Sequence, residues 1–148
     1  MLVETLKTLF IRDLNRLKSE IEAYQNDTTI WATDKGIANS AGNLCLHLIG
    51  NLNAYIGAEI GKTEYIRHRD LEFSLNNIPK AALINKIEAT IAVVIAALNT
   101  VTEQDLENDY PIIVFQEKTS TGYFLIHLTT HLAYHLGQIN YHRRLLDV

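Results

Sequence analysis

The sequence predicts an all-α protein, a four-helix bundle with one long crossover connection. Three observations lead there. Four segments carry apolar residues at three- and four-residue steps, the period of one buried helix face. Only one short stretch, Pro111 to Phe115, is rich in β-branched residues, and a single strand cannot carry a sheet. Residues 62–77 show no period at all and separate the second helix from the third.

In the first segment Leu6, Phe10, Leu14, Leu17, Ile21 and Tyr24 form the apolar stripe. Arg12, Arg16, Lys18, Glu20 and Glu22 mostly fall on the opposite, solvated face. The second helix starts at Ser40, an N-cap residue, and ends near Gly61, which suits the C′ position. Leu44, Leu48, Leu52 and Ile56 point inward from it. Lys62 to Asn77 reads as an irregular crossover. Pro79 fits the first turn of a third helix, whose core stripe is Leu83, Ile87, Ile91, Val94 and Leu98 and which Asn99 closes. Thr102 to Glu107 gives a short helical turn, and Pro111 to Phe115 an extended cover over the bundle. The last helix runs from about Ser120 to Leu146, with Arg143 and Arg144 near its negative end.

With 148 residues and 47% hydrophobic content, the chain fits one domain, residues 1–148, able to bury a core. No internal repeat or linker divides it. A net charge of -4 and a pI near 5.8 argue against a nucleic-acid partner, which would call for concentrated positive charge. Glu4, Lys7, Arg12 and Asp13 interrupt any signal-peptide core. The longest purely apolar run, Ile91 to Leu98, is too short to span a bilayer, so no membrane association is expected. Cys45, the one cysteine, has no internal partner and suits a reducing cytoplasm.

The chemistry lies in the histidines. Four of the six fall between positions 127 and 142 on the last helix. His127, His131 and His135 are four residues apart, so each step advances about 6 Å and turns only ~40° beyond a revolution. Neighbours in this series share a face and can converge on one ion. With His127 at zero, Leu128, Leu132, Leu136, Ile139 and Leu146 cluster around ~120°, which marks the core. His131 and His135, at ~40° and ~80°, lie nearer that direction than His127. The pair His131 and His135 is therefore favoured as metal ligands, with His127 at the rim beside them or at the entrance. His47, set among Leu44, Leu46, Leu48 and Ile49, is the best third ligand. A lone histidine on a helix is, however, more often a hydrogen-bonded residue than a ligand.

Other residues narrow the chemistry. Leu132 stands where a zincin helix would carry its glutamate, and no Glu-x-x-His pair exists for a di-iron centre. Cys45 lies two residues from His47, on roughly the opposite helix face, and reads as a packed small hydrophobe. Asn51 and Gln138 could orient ligands or touch substrate. Tyr134 could offer a hydroxyl to the metal, although a packed aromatic is the preferred reading. His142 lies more than a turn beyond His135, outside the ligand set. Arg67-His68-Arg69 in the crossover could bind a carboxylate, although a solvated loop is preferred.

Two stretches, Leu46-His47-Leu48-Ile49-Gly50-Asn51 and His127-Leu128-Thr129-Thr130-His131-Leu132-Ala133-Tyr134-His135-Leu136-Gly137-Gln138-Ile139, resemble the DinB/YfiT-like superfamily of bacterial metal-binding four-helix bundles. The second resembles its His-x-x-x-His-x-x-Tyr-His-x-Gly-Gln signature, and helix order and length match over nearly the whole chain. Leu136 departs from the signature, which often has a basic residue there, and this argues against an anionic substrate group bound from that position. The resemblance implies His47, His131 and His135 as ligands of a divalent transition metal, with zinc or nickel placed ahead of iron or manganese. It also implies a homodimer. Relatives include metal-dependent transferases that use low-molecular-weight thiols such as bacillithiol or mycothiol, and a thiol-dependent isomerase. The expected function is thus metal-dependent S-transfer from a small thiol to a small-molecule substrate, with hydrolysis less favoured. The alternative is a non-catalytic metal- or ligand-binding stress protein.

Overall fold

The computed structural model describes residues 1–148 and is helical throughout, with no strand. Four long helices carry the fold: α1 Leu2–Ala23, α2 Ala41–Leu52, α4 Lys80–Leu98 and α5 Thr121–Leu146. A six-residue helix, α3 Arg69–Ser74, lies in the crossover. Helix α1 packs against α4 and α5, and α2 packs against α3, α4 and α5. One contiguous apolar core joins them.

The expected stripe of α1 is buried in full, from Leu6 to Tyr24. Asp13, also on the buried side, is neutralised by Arg12 and Arg16 at 2.9 and 3.2 Å. Helix α2 goes beyond an inward stripe, because every residue except Asn43 is buried. A helix enclosed by neighbours on all sides needs such an apolar composition. Its start is capped as expected, with Ser40 Oγ accepting from the Asn43 amide at 3.1 Å.

Its end differs from the sequence reading. After Leu52 the helix widens into a π-helical turn, Asn53–Ala58. The Asn53 side chain donates to Ile49 O at 2.8 Å and to Thr90 Oγ1 at 2.9 Å, and the Tyr110 hydroxyl donates to Tyr55 O at 2.5 Å. These bonds occupy backbone and side-chain groups around the widened turn, where such bulges tend to accompany functional sites. At Gly57 a Cβ would collide with Val93, so the glycine sets how closely this turn approaches α4. The left-handed residue that ends the segment is Lys62, φ 57°, and not Gly61.

The crossover is the larger correction. It holds α3, which six residues without apolar periodicity could not announce. Tertiary bonds hold it instead: Asn43 Nδ2 donates to Glu72 O at 2.9 Å and to Leu75 O at 2.7 Å, capping its C-terminal end. Helix α4 begins after Pro79 and closes at Asn99. By length and composition α4 is the one helix that could cross a membrane, a finding the short run Ile91 to Leu98 did not anticipate. Here it buries Leu83, Ile87, Val94 and Leu98 in the core, while Ile91 is only partly covered.

The segment after α4 forms a 3₁₀ turn at Asp105–Glu107. Residues 111–115 make no strand, and the only β-type pairing is an isolated bridge between Asp109 and Ser120. Val114 nevertheless packs on the core, as expected of a cover. Ser120 caps α5 by accepting from the Tyr123 amide at 3.1 Å.

Two turns beyond His135, His142 fastens α5 to the end of α1. Its Nε2 donates to Ala32 O at 2.8 Å, which leaves Nδ1 to accept from the Tyr24 hydroxyl at 2.7 Å. Tyr24 is 1% exposed and His142 is 4% exposed. Tyr24→Phe strands a buried acceptor and is expected to cost about 1–3 kcal/mol, read as a lower urea midpoint with unchanged helical circular dichroism.

Candidate metal centre

Helix spacing brings His131 and His135 to one face of α5, and the packing of α2 against α5 brings His47 to meet them. Nitrogen atoms of all three lie within 4.8 Å of one another. His47 Nε2 and His131 Nε2 are 3.2 Å apart. Two ligands of a tetrahedral ion with bonds near 2.05 Å stand roughly 3.3 Å apart, so this pair already has the spacing of one edge.

Proton positions follow from the partners. His47 Nδ1 lies 3.0 Å from Glu72 Oε1. A carboxylate in the fork of Arg67 only accepts, so His47 carries its proton on Nδ1 and exposes the Nε2 lone pair. His135 Nδ1 lies 2.7 Å from Gln138 Oε1, and the same logic frees its Nε2. His131 Nδ1 is buried without a partner. This donor set, with two imidazoles held by outer acceptors in the correct tautomer, fits a divalent ion.

Burial keeps His131 and His47 neutral. Burial, reinforced by repulsion from the neighbouring imidazoles and from Arg67, pushes His131 down from the usual 6.5 to about 4. Burial also lowers His47, against the opposing pull of Glu72. Neutral imidazoles are the form that binds metal.

Glu72 is the residue the sequence reading missed. It is 6% exposed and takes both arms of Arg67, Nε to Oε2 at 2.9 Å and Nη2 to Oε1 at 3.0 Å, besides the His47 proton. The carboxylate rests on the bare backbone of Gly50, where a Cβ would land on it. Gly50 is three residues past His47, so one glycine admits the acceptor that orients the ligand. The next residue, Phe73, sets its ring 5.0 Å from that of His47. The available signal was Gly50 itself, a glycine in the bulky half of α2 that follows Asn43.

The remaining sequence candidates are spread around this centre. His127 faces His131 at 6.2 Å between ring centroids and sits edge-on to Phe115 at 4.8 Å, outside the three-histidine group. Asn51 is buried and its Oδ1 has no donor. Tyr134 is 66% exposed, so it is not the packed aromatic expected, because its place on α5 faces outward. Arg67 is no solvated loop residue: it is largely covered and lies over the Tyr55 ring. Cys45 is fully buried, and burial pushes its thiol up to about 12, far from reactive.

Two hollows flank the histidines. A cavity of about 190 Å³ is lined by His47, His131, His127, Asn51 and Arg69, among others. On the other side a cleft of about 500 Å³ opens past His135, Gln138 and Tyr134.

Gly50→Ala is expected to expel the Glu72 carboxylate and lower metal affinity by about 10- to 100-fold, the usual effect of losing an outer acceptor. Glu72→Ala should match it in a competition titration with a chromogenic chelator, while Gly57→Ala should not.

A pH effect follows from His131. In the unfolded chain it titrates near 6.5, in the fold near 4. Between those values the unfolded state takes up a proton that the folded state refuses, so stability falls as pH drops through that window. Urea melts of metal-free protein should show the decline, and His131→Asn should flatten it.

Among curated proteins, none matches this sequence. A family described as "Protein of unknown function (DUF1572)" matches residues 3–147, and the chain belongs to that family.

Proposed function

We propose that His47, His131 and His135 hold one divalent transition metal, and that the centre activates a low-molecular-weight thiol for transfer to a small electrophile. The observation that carries the metal reading is the convergence of three imidazoles, two of them locked with Nε2 lone pairs free by Glu72 and Gln138. The resemblance to DinB/YfiT-like four-helix bundles supports the same ligand set and supports reading the four long helices as that bundle. It also favours zinc or nickel and a homodimer, and the single cysteine suits a reducing cytoplasm.

Bound there, a divalent ion would supply the positive charge that lowers a thiol's pKa and stabilises the nucleophilic thiolate. The chain's own groups define the rest. Glu72 keeps the His47 proton on Nδ1, and Arg67 holds Glu72 in place. Phe124, Val114 and Leu128 form the apolar part of the cavity wall. Cys45 cannot serve as nucleophile from the core, so any thiol must diffuse in.

A second reading, a non-catalytic metal- or ligand-binding protein, draws on one observation. The only carboxylate touching the histidines, Glu72, has both oxygens engaged and cannot serve as a general base.

Elemental analysis of purified protein is expected to find one equivalent of metal per chain, lost in His131→Ala; full retention in that variant rejects the centre. Metal-loaded protein supplied with a panel of thiols and a fluorogenic electrophile should turn over above His47→Ala. No turnover with any thiol would leave the second reading standing.

A further inference from the structure

The outward face of α5 has the wrong composition for contact with water. Tyr123, Tyr134, Tyr141 and Leu145 are 60%, 66%, 62% and 64% exposed, and Ile126 is 45% exposed. The helix exposes one charged residue, Arg144, and its guanidinium lies 5.1 Å from the Tyr141 ring. The exposed face of α1 is the contrast, with Glu4, Arg12, Arg16 and Glu22 along it. An apolar stripe that runs the length of a helix marks an interaction surface.

The spacing of the stripe says what fits it. From Tyr123 through positions 126, 130, 134, 137 and 141 to Leu145, the steps are three, four, four, then three, four, four. This 11-residue repeat gives about 3.67 residues per turn, so the stripe stays on one side of a nearly straight helix. It is also close to symmetric about Tyr134. Tyr123 and Leu145 stand eleven residues to either side, and Ile126 and Tyr141 stand eight and seven. A surface that complements itself under a two-fold rotation is what pairing with a second copy requires. At ~150–250 Å² per aromatic side chain, the exposed parts of the five residues offer on the order of 600 Å² per copy. Thr130, Ala133 and Gln138, exposed beside them, bring the face toward the ~800 Å² per partner of a stable complex.

We propose that α5 pairs antiparallel with α5 of a second copy, around a two-fold axis at Tyr134. Each Tyr134 then packs on its own counterpart, each Tyr123 meets Leu145 of the other copy, and each Ile126 meets Tyr141. Gly137, one turn from the axis, has nothing within 4 Å of where a Cβ would stand, and the missing side chain lets the two backbones come close. Tyr134, Tyr141 and Leu145 also line the cleft beside His135, so the second copy stands at its rim. This surface rests on the homodimer reading above and owes nothing to the metal.

Sedimentation equilibrium of the full chain, with and without zinc, should give a dimer. Tyr134→Glu sets two carboxylates against each other at the axis and should weaken the dimer by about 100-fold or more. Helical circular dichroism should stay unchanged, because Tyr134 lies outside the core. Tyr134→Cys should form an intermolecular disulfide under mild oxidation, with the buried Cys45 silent. Leu145→Cys should not, because eleven residues at 1.5 Å each put it about 16 Å from the axis; a parallel pair would cross-link both and overturns the arrangement. A dimer untouched by Tyr134→Glu, or a Tyr134→Cys variant that fails to cross-link, overturns this surface and leaves the homodimer reading intact. A wild-type chain that sediments as a monomer overturns both.

Discussion

The centre depends on a single buried carboxylate. Glu72 would be costly to bury alone, since an isolated charge away from water loses most of its hydration. Arg67 offsets that cost with two charge-assisted bonds, and Gly50 provides a surface flat enough to rest on. With Glu72 in place, His47 has one tautomer and one orientation. Without it, the ring keeps neither, and the two histidines of α5 face an unordered third.

The histidines of α5 were legible because helix geometry is local: a four-residue spacing fixes which side chains share a face. His47 was legible from its apolar setting and from the resemblance, since the contact it makes lies 84 residues away in sequence. The stripes of α1 and α4 and the cap at Ser40 were readable for the same local reason. Helix α3 was not. Its six residues have no intrinsic reason to be helical, and the bonds from Asn43 that hold it arise from tertiary contact. Glu72 stayed hidden with it, because an acid in an aperiodic crossover looks like solvated surface. Arg67 was misjudged on the same ground, and Tyr134 because an aromatic beside a ligand reads as packed until the outward face of α5 is known.

Burial, with repulsion among the imidazoles and from Arg67, disfavours protonation of His131, while at His47 burial outweighs the opposing pull of Glu72, which is occupied by a guanidinium and an N–H. The centre is therefore kept electron-rich at nitrogen without gaining net negative charge.

The short helix in the crossover has a kinetic consequence. A six-residue helix lacks the length to persist alone, so α3 closes on the protein as a unit and opens as one. Each opening carries away Glu72 and Phe73 together, which leaves His47 unsupported and uncovered for as long as α3 is detached. Exchange of anything held by the three histidines is thus tied to the breathing of a segment that contributes no nitrogen to them. Were an ion held there, its release would be coupled to the opening that exposes the α3 amides.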